Sequence, residues 1–275
     1  MKPAEGAQGR GVSVFNKWRS ISSRHIHVVQ HYIAYPLLLE NGSKFDIRVY
    51  VYVSSYYPLR VYVHEEMLIR LATKKYTLAS NKLEDVFVHL TNSAINQNHH
   101  NYSVKDYKWS SHALWSALES MNVDCDEIWS SICAICVKSV ASIAIRGGKL
   151  VERYCKSPYQ VHQLLGFDLL IDKNHKVWLL EVNNTPSLSG NSAFDMKLKS
   201  TILTDFFNVA GIRAPVLNNT EVRPWGQKHR DKLSNYERSK QEKFSHPTLD
   251  IWAEFSVRLS IDSHVDIRLG YEEYP

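Results

Sequence analysis

The chain has 275 residues, of which 44% are hydrophobic and 22% are charged, and its formal net charge at pH 7 is +5. This composition excludes a disordered chain, a collagen and a coiled coil, and it supplies enough apolar material for one large domain or two modest ones. The small positive charge favours acidic partners, but it does not single out nucleic acid, a membrane or an acidic peptide.

Neither a membrane-spanning segment nor a secretory signal is predicted. The longest weakly polar run, 132–145, contains Lys138 and is shorter than the roughly 20 apolar residues that a membrane-spanning helix needs. The first residues, Met1 to Gly6, lack the apolar core of a secretory signal, which predicts a location in the cytosol or nucleus. The four cysteines are too few for a disulfide framework in a chain of this length, so we expect reduced thiols.

The first 215 residues alternate β-rich segments with one long helical stretch, which predicts an α+β unit with an antiparallel or mixed sheet and flanking helices. After Pro215 the sequence becomes strongly charged, so residues 216–275 are predicted to form a C-terminal extension. Cys133 and Cys136 fall inside a predicted helix, where burial is favoured over a metal or redox role. The predicted strands are 28–32, 45–53, 59–64, 164–172 and 176–183, and the predicted helices are 109–121 and 128–145.

The first candidate for ligand binding is a glycine loop near the N-terminus. Lys2 is followed by Gly6, Gly9 and Gly11, and such a loop could present backbone amides and an ammonium group to phosphate. The loop lacks the Gly-Lys-Ser/Thr ending of a P-loop and the strand and helix of a dinucleotide-binding fold. A flexible turn is therefore an equal alternative.

Charged residues alternate at the start of the second predicted strand. Lys44, Asp46 and Arg48 share one face because strand side chains alternate, and the residues between them are apolar. Two cations separated by an acid suit the recognition of phosphate or carboxylate, and Arg70 adds a cation inside another apolar segment. The alternative is a ladder of salt bridges on an edge strand.

Two groups of polar residues carry weaker signals. His89, Thr91 and Asn92 form a polar cluster after an apolar run, where cap or turn chemistry would also explain the threonine and asparagine. His64 and His99 lack the spacing of the histidine pair on a metalloprotease helix, so we expect both at the surface.

The segment 166–183 predicts a β-hairpin with polar side chains on one face. If the turn is Asn174-His175, or a four-residue loop around it, Asp168 lies directly across from Glu181, and Asn183 shares their face. Opposed carboxylates are destabilising unless a cation neutralises them, and three oxygen ligands favour Mg²⁺ or Mn²⁺ over zinc. The alternative is a solvated face on which the two acids do not meet.

No nucleophilic serine or cysteine stands out, so the sequence favours phosphate chemistry through positioning and charge stabilisation. Six segments, in this order, resemble the tubulin tyrosine ligase-like family of ATP-grasp enzymes. They are Lys2-Pro3 with the glycine loop, Val29 to Ile33, Lys44 to Arg48, His89 to Asn92, Gly166 to Asp168, and Trp178 to Asn183 with Thr185 to Leu188. The resemblance covers about residues 2–215 and implies an ATP-grasp-like fold with ATP between two α+β layers.

The resemblance also implies a role for each matching side chain. The adenine contacts would be Gln30, His31, Tyr32 and Ile33, and the phosphate contacts would be Lys2 and Lys44. The Mg²⁺ ligands would be Asp168, Glu181 and Asn183. Arg48 and Arg70 would hold the acyl phosphate, the carboxylate of an incoming amino acid or an acidic tail. The supporting residues of the site would be Asp46, His89, Thr91 and Asn92.

Such enzymes activate a carboxylate as an acyl phosphate, which the amine of an amino acid then attacks. The ending Asn184 to Leu188 is similar to the glutamylase branch of the family. The expected function is therefore the ATP- and Mg²⁺-dependent addition of free glutamate to glutamate side chains in the acidic C-terminal tails of tubulin. The expected location is the cytoplasm and its microtubules, with the cilium or basal body as a further option.

The family carries an N-terminal domain and the first part of a central domain before the Lys-Pro segment, and this chain begins at that segment. We therefore expect residues 1–215 to be a partial ATP-grasp unit that lacks those parts. The alternatives are an inactive microtubule-binding fragment of such an enzyme and an ATP-grasp ligase for another carboxylate substrate. No recognition motif for nucleic acid accompanies the charge, and neither nucleic acid nor a membrane is an expected partner.

Overall fold

A computed structural model describes residues 1–4, 6, 8–17, 26–100, 102–157 and 161–212, together with the backbone of Trp252–Val257. Within these residues the strands are β1 (Lys2–Pro3), β2 (His27–Val28), β3 (Ser43–Tyr56), β4 (Leu59–His64), β5 (Leu68–Lys75), β6 (Lys108–Ser110), β7 (Gln163–Ile171), β8 (Val177–Asn183) and β9 (Trp252–Val257). The helices are α1 (Val86–His89), α2 (Ser93–Asn96), α3 (Val104–Tyr107), α4 (Ser111–Ser120), α5 (Cys125–Tyr154) and α6 (Ala193–Val209), with a short 3₁₀ helix at Ser80–Lys82.

The long strand β3 organises the main sheet. Strand β7 pairs along one edge of β3, while β5 and β4 share the other edge, β5 beside its first half and β4 beside its second. Strands β8, β6 and β9 lie beyond β7, β5 and β4 respectively, and all of these pairs are antiparallel. Strands β1 and β2 form a separate two-stranded sheet. The predicted α+β architecture is thus confirmed.

The two faces of β3 have different roles. On one face, five alternate apolar residues are fully buried: Phe45, Ile47, Val49, Val51 and Val53. A fully buried side chain of this kind contributes about 1.5–3 kcal/mol relative to exposure. The other face carries the polar and aromatic residues Lys44, Asp46, Arg48, Tyr50 and Tyr52. One strand therefore separates the hydrophobic core from the polar face.

Helix α5 covers the apolar face of the sheet. It begins after Asp124, whose side chain accepts a hydrogen bond from the backbone N–H of Glu127 at 3.0 Å. Cys133 and Cys136 are buried in the core as predicted, and burial raises the pKa of Cys133 to about 12, so neither thiol is poised to react. By length and composition α5 could also span a membrane, but its buried side chains belong to the core, as in the central helix of a globular domain.

The turn of the β7–β8 hairpin differs from the prediction, whereas the pairing of Asp168 with Glu181 agrees with it. A three-residue loop, 173–175, replaces the predicted turn, with His175 in the left-handed conformation at φ 63°. This loop shifts the register by one residue, and a bulge after Asp168 shifts it back. Asp168 therefore does lie across from Glu181.

Two other expectations change. The strand predicted at 28–32 ends at Val28, and the following residues to 34 have no regular secondary structure. The predicted C-terminal extension, 216–275, lies outside the described residues except for β9, which pairs with β4 in the main sheet. The extension as a unit therefore stays a prediction.

Candidate functional site

One cavity of about 670 Å³ lies on the polar face of β3, beneath the N-terminal glycine loop. Its size is in the range of small-molecule and cofactor sites. The predicted site residues that border it are Lys2, Gln30, His31, Tyr32, Ile33, Lys44, Asp46, Arg70, His89, Thr91, Asn92, Asp168, Glu181 and Asn183. Segments from seven places in the chain thus meet at one cavity. Arg48 is the predicted site residue that does not border it.

The floor of the cavity is a buried network around Arg70. Its guanidinium donates to both carboxylate oxygens of Asp46, Nε to Oδ1 at 2.7 Å and Nη2 to Oδ2 at 2.6 Å. The same Nη2 donates to Oδ2 of Asp168 at 3.0 Å, and Thr91 Oγ1 donates to Oδ2 of Asp46 at 2.6 Å. The forked geometry suits arginine and not lysine, because two parallel N–H groups are needed on one carboxylate.

Arg48 does not border the cavity, but it also binds the carboxylate of Asp168. Its Nη2 donates to Asp168 Oδ2 at 3.0 Å, and its Nε donates to Oδ1. Burial alone would raise the pKa of Asp168, but Arg70 and Arg48 outweigh burial and lower that pKa to about 2. The two arginines thus neutralise Asp168 directly. The opposed carboxylates had predicted a metal in this role. The resemblance implied that Arg48 holds the acyl phosphate, an amino acid carboxylate or an acidic tail, which stays a prediction; in the structure its guanidinium bonds Asp168.

The oxygens of Glu181 and Asn183 fit a hard divalent cation. Glu181 is exposed, and Asn183 Nδ2 donates to Glu181 Oε1 at 3.3 Å and to the carbonyl of Gly166 at 3.4 Å. Within the described residues, Asn183 Oδ1 and Glu181 Oε2 make no hydrogen bond and remain available as ligands. Asp168 can offer a metal ion only one lone pair, on Oδ1, because Arg48 and Arg70 already donate hydrogen bonds to the other lone pairs of its carboxylate. This donor set suits Mg²⁺ that keeps several other oxygen ligands.

Lys44 lies in a buried cluster on another wall of the cavity. Its Nζ donates to the carbonyl of His89 at 2.7 Å and to the hydroxyl of Tyr32 at 3.1 Å. His89 Nε2 is 3.1 Å from the carbonyl of Lys82, so Nε2 carries the proton and Nδ1 accepts from Tyr32 at 2.9 Å. Burial lowers the pKa of His89, as does the neighbouring Lys44 charge, and the neutral ring positions Lys44 and Tyr32.

The glycine loop closes the cavity from above. Gly9 has φ 77°, and a Cβ at this position would lie 2.5 Å from Oδ1 of Asn92. Only glycine permits this approach without displacement. Lys2 reaches the cavity on β1, which pairs with β2 at Val28. The loop is therefore part of the site, although its glycine spacing alone did not distinguish it from a turn.

Several residues of the cavity were not predicted. Arg10 borders it from within the glycine loop, and its position between two glycines is the sequence signal that could have identified it. Leu170 and Leu180 also border the cavity. Leu180 is the extra residue of the β8 bulge, and hairpin periodicity contains no signal for a bulge.

Gly166 is required by the packing beside Arg48. A Cβ on Gly166 would lie 2.8 Å from Cβ of Pro186 and 3.2 Å from Cδ of Arg48. We expect Gly166→Ala to lower the free energy of unfolding by about 1–3 kcal/mol, measured by denaturant titration. The matched control is Gly148→Ala in α5, where the nearest atom is Cβ of Tyr57 at 3.4 Å and helix propensity favours alanine. An equal loss in both variants would contradict this explanation.

Comparison with known proteins finds a family and several relatives. The model of the Tubulin-tyrosine ligase family matches residues 1–222. Tubulin monoglutamylase TTLL4 of Mus musculus is 38% identical in an alignment of 222 residues that covers 78% of this chain and 18% of that protein. Tubulin polyglutamylase ttll-4 of Caenorhabditis elegans is 34% identical over 218 residues, covering 78% of this chain and 36% of that protein. Tubulin polyglutamylase TTLL5 of Homo sapiens is 35% identical over 219 residues, covering 77% of this chain and 17% of that protein.

The chain thus spans well under half the length of these relatives. The matched region contains the cavity, the arginine network and both strands of the β7–β8 hairpin. The sheet with its flanking helices agrees with the ATP-grasp-like fold that the sequence resemblance implied. Since the family match covers most of the sequence and includes every side chain of the site, this chain belongs to the tubulin-tyrosine ligase family.

Proposed function

We propose that the chain carries an ATP-dependent ligase site that adds free glutamate to glutamate side chains in the acidic C-terminal tails of tubulin. The observation that supports this most is a single cavity lined by lysines, by Glu181 and Asn183, and by the buried arginine–carboxylate network. The names of the relatives support tubulin as the protein substrate and glutamate as the added group.

In this proposal each group of residues that lines the cavity has one role. Lys2 and Lys44 bind phosphate oxygens, and Gln30 to Ile33 contact the adenine. Glu181 and Asn183, with one oxygen of Asp168, would hold Mg²⁺, which would neutralise charge on the phosphates. The remaining network keeps Arg70 fixed beside the cavity, where its positive charge faces the reacting groups.

The proposed reaction has two steps. An oxygen of the acceptor carboxylate bonds to the γ-phosphorus of ATP, and ADP leaves with the electron pair of the broken bond. The amine nitrogen of free glutamate then bonds to the carbonyl carbon of the acyl phosphate, inorganic phosphate leaves, and the nitrogen releases a proton. Positioning and charge stabilisation are sufficient for both steps, and no protein nucleophile is needed.

The direct test is transfer of labelled glutamate to tubulin by the purified chain. We expect incorporation that requires both ATP and Mg²⁺ and that is lost when the tubulin tails are removed by protease. Labelled glycine in a parallel reaction tests the choice of amino acid. Binding of Mg-ATP without transfer to tubulin, but with transfer to another carboxylate substrate, would favour a different ligase. Microtubule binding without Mg-ATP binding would favour an inactive fragment.

The proposed location follows from the proposed substrate. We expect the chain on cytoplasmic microtubules, with the cilium or basal body as a further option. Imaging of the tagged chain together with a tubulin marker tests this expectation.

Lys44 gives the proposed nucleotide site a pH dependence. Burial lowers the pKa of Lys44 to about 8, against the opposing effect of the Asp46 charge. The ammonium form attracts phosphate and the neutral amine does not, so affinity should be full below that pKa and fall above it. We expect the Kd for Mg-ATP to rise about tenfold from pH 7 to pH 9.

Calorimetric titrations at the two pH values check this result. Lys44→Met should bind weakly at both values, whereas Lys105→Met, which changes an exposed lysine outside the cavity, should keep the wild-type pH dependence. A wild-type Kd that stays constant over this range would show that Lys44 does not contact phosphate.

A further inference from the structure

The second half of helix α5 exposes apolar and basic side chains next to one another. Ile143, Leu150 and Tyr154 have 50%, 58% and 71% of their surfaces exposed. Their spacing of seven and four residues places them in one stripe along the helix. Three exposed cations, spaced three and four residues apart, form a ridge beside this stripe. We call these six residues the α5 surface: Ile143, Leu150, Tyr154, Arg146, Lys149 and Arg153.

The cations of the α5 surface have no acidic partner within the described residues. Among those residues, no carboxylate forms a salt bridge with Arg146, Lys149 or Arg153. Single exposed apolar residues are ordinary, but a stripe of three beside a ridge of cations is typical of an interaction site. We therefore expect a partner that is both apolar and acidic.

Strand β9 ends close to this surface. Val257, the last residue of β9, is directly opposed to Leu59 on β4, and Leu59 is opposed to Tyr56 on β3. Two strand spacings, about 10 Å, therefore separate Val257 from Tyr56. Helix α5 reaches the same place, because a Cβ on Gly147 would lie 2.9 Å from Cδ1 of Tyr56. The chain that follows Val257 thus begins near the α5 surface.

Residues 258–275 complement the α5 surface in charge and in pattern. They contain four acids and two arginines, whereas residues 143–154 contain three cations and one acid. Every second position from Leu259 to Leu269, except Ser263, is leucine, isoleucine or valine, which predicts an extended segment with one apolar face. Such a face needs an apolar surface to cover it. The acids of the segment are Asp262, Asp266, Glu272 and Glu273.

We propose that residues 258–275 dock on the α5 surface of the same chain. Their apolar face covers the stripe, and their acids pair with the ridge of cations. These 18 residues can span up to about 60 Å when extended, and the α5 surface is about 16 Å long, so the segment is long enough. Helix α5 covers the sheet face opposite the cavity, so this proposal does not depend on the proposed ligase function.

The direct test is photo-crosslinking in the 275-residue chain. A photoreactive phenylalanine derivative replaces Leu150, and mass spectrometry identifies the crosslinked peptides. The matched control carries the same derivative in place of Ser130, which is exposed on the same helix about 30 Å away. We expect crosslinks to residues 258–275 from position 150 and none from position 130. The absence of such crosslinks from position 150 would overturn the proposal.

Charge reversal tests the ionic part of the proposal. Arg146→Glu combined with Arg153→Glu should lower the crosslinking yield about fivefold or more, since two attractive pairs become repulsive. Salt at about 1 M should also lower the yield, because it screens exposed charges. Lys197→Glu, which changes an exposed lysine of α6, is the control and should have no effect. An unchanged yield in the double variant would contradict the pairing of the ridge with the acids.

Thermal unfolding provides an independent measurement. Leu150→Gln keeps a high helix propensity, and on a surface in contact with water it would leave the melting temperature unchanged. We expect it to lower the melting temperature by about 3–5 °C, because the docked segment covers Leu150. The same substitution in a chain that ends at Val257 should have no effect.

Two results would reject this occupant of the α5 surface. Equal melting temperatures of the wild type and Leu150→Gln would show that water, and not the segment, contacts Leu150. Crosslinks from position 150 to added tubulin, or to the lipids of anionic vesicles, in place of crosslinks to residues 258–275, would assign the surface to that partner instead.

Discussion

Replacing Arg70 with methionine is expected to lower the melting temperature of the chain by about 10 °C and to abolish any ligase activity. Arg70 is 7% exposed and holds the buried carboxylates of Asp46 and Asp168 at once. Its removal leaves both acids buried without this partner, and breaking a buried ion pair in this way costs about 3–5 kcal/mol. The two acids themselves favour the charged form of Arg70, whose pKa is raised despite burial.

The control for Arg70→Met is Lys74→Met on the same strand. The ammonium of Lys74 lies 2.8 Å from Asp85, but 42% of its side chain is exposed, so water screens the pair. We expect less than about 1 kcal/mol from this substitution. Arg70→Lys should recover part of the lost stability, since lysine keeps the charge but lacks the fork. Equal melting temperatures for Arg70→Met and Lys74→Met would show that the network does not stabilise the fold.

Replacing Glu181 with glutamine is expected to lower the rate of ligation about 100-fold or more and to leave the melting temperature unchanged. Glu181 is exposed, so the fold does not depend on its charge. In the proposed site it supplies an anionic oxygen to Mg²⁺, and an amide oxygen at the same position carries no charge to attract the ion. The Mg²⁺ concentration needed for half-maximal activity should therefore also rise.

Glu84→Gln is a suitable control for Glu181→Gln, because Glu84 is an exposed acid that does not border the cavity. Both variants are compared with wild type by thermal unfolding and by initial rates over a series of Mg²⁺ concentrations. A Glu181→Gln variant with the wild-type rate and Mg²⁺ dependence would remove Glu181 from the metal site.

Alternation along a strand was sufficient to predict the polar face of β3. Lys44 and Asp46 border the cavity, and both were identified from their spacing. The pairing of Asp168 with Glu181 was also predicted, but from a turn that was wrong. The actual loop has three residues, and the bulge after Asp168 corrects the register, so two departures from the ideal hairpin cancel.

Interactions between distant segments could not be predicted from local patterns. Arg70 reaches Asp168 across 98 positions of sequence, and nothing in either strand indicates which strand lies beside it. The same limit explains the error at His64, which was expected at the surface. His64 is fully buried, its Nδ1 accepts from the backbone N–H of Glu66 at 3.0 Å, and its Nε2 lies 3.2 Å from Asp205, 141 residues away.

The proposed function requires that one cavity hold a magnesium nucleotide between the lysines and the oxygens of Glu181 and Asn183. Calorimetric titration of the wild-type chain with ATP, with Mg²⁺ and with EDTA, measures this property without requiring tubulin. We expect saturable binding at one site that weakens strongly in EDTA and in Glu181→Gln. The proposed magnesium-nucleotide site would be contradicted if ATP did not bind, or if ATP bound equally strongly with and without Mg²⁺ in both the wild type and Glu181→Gln.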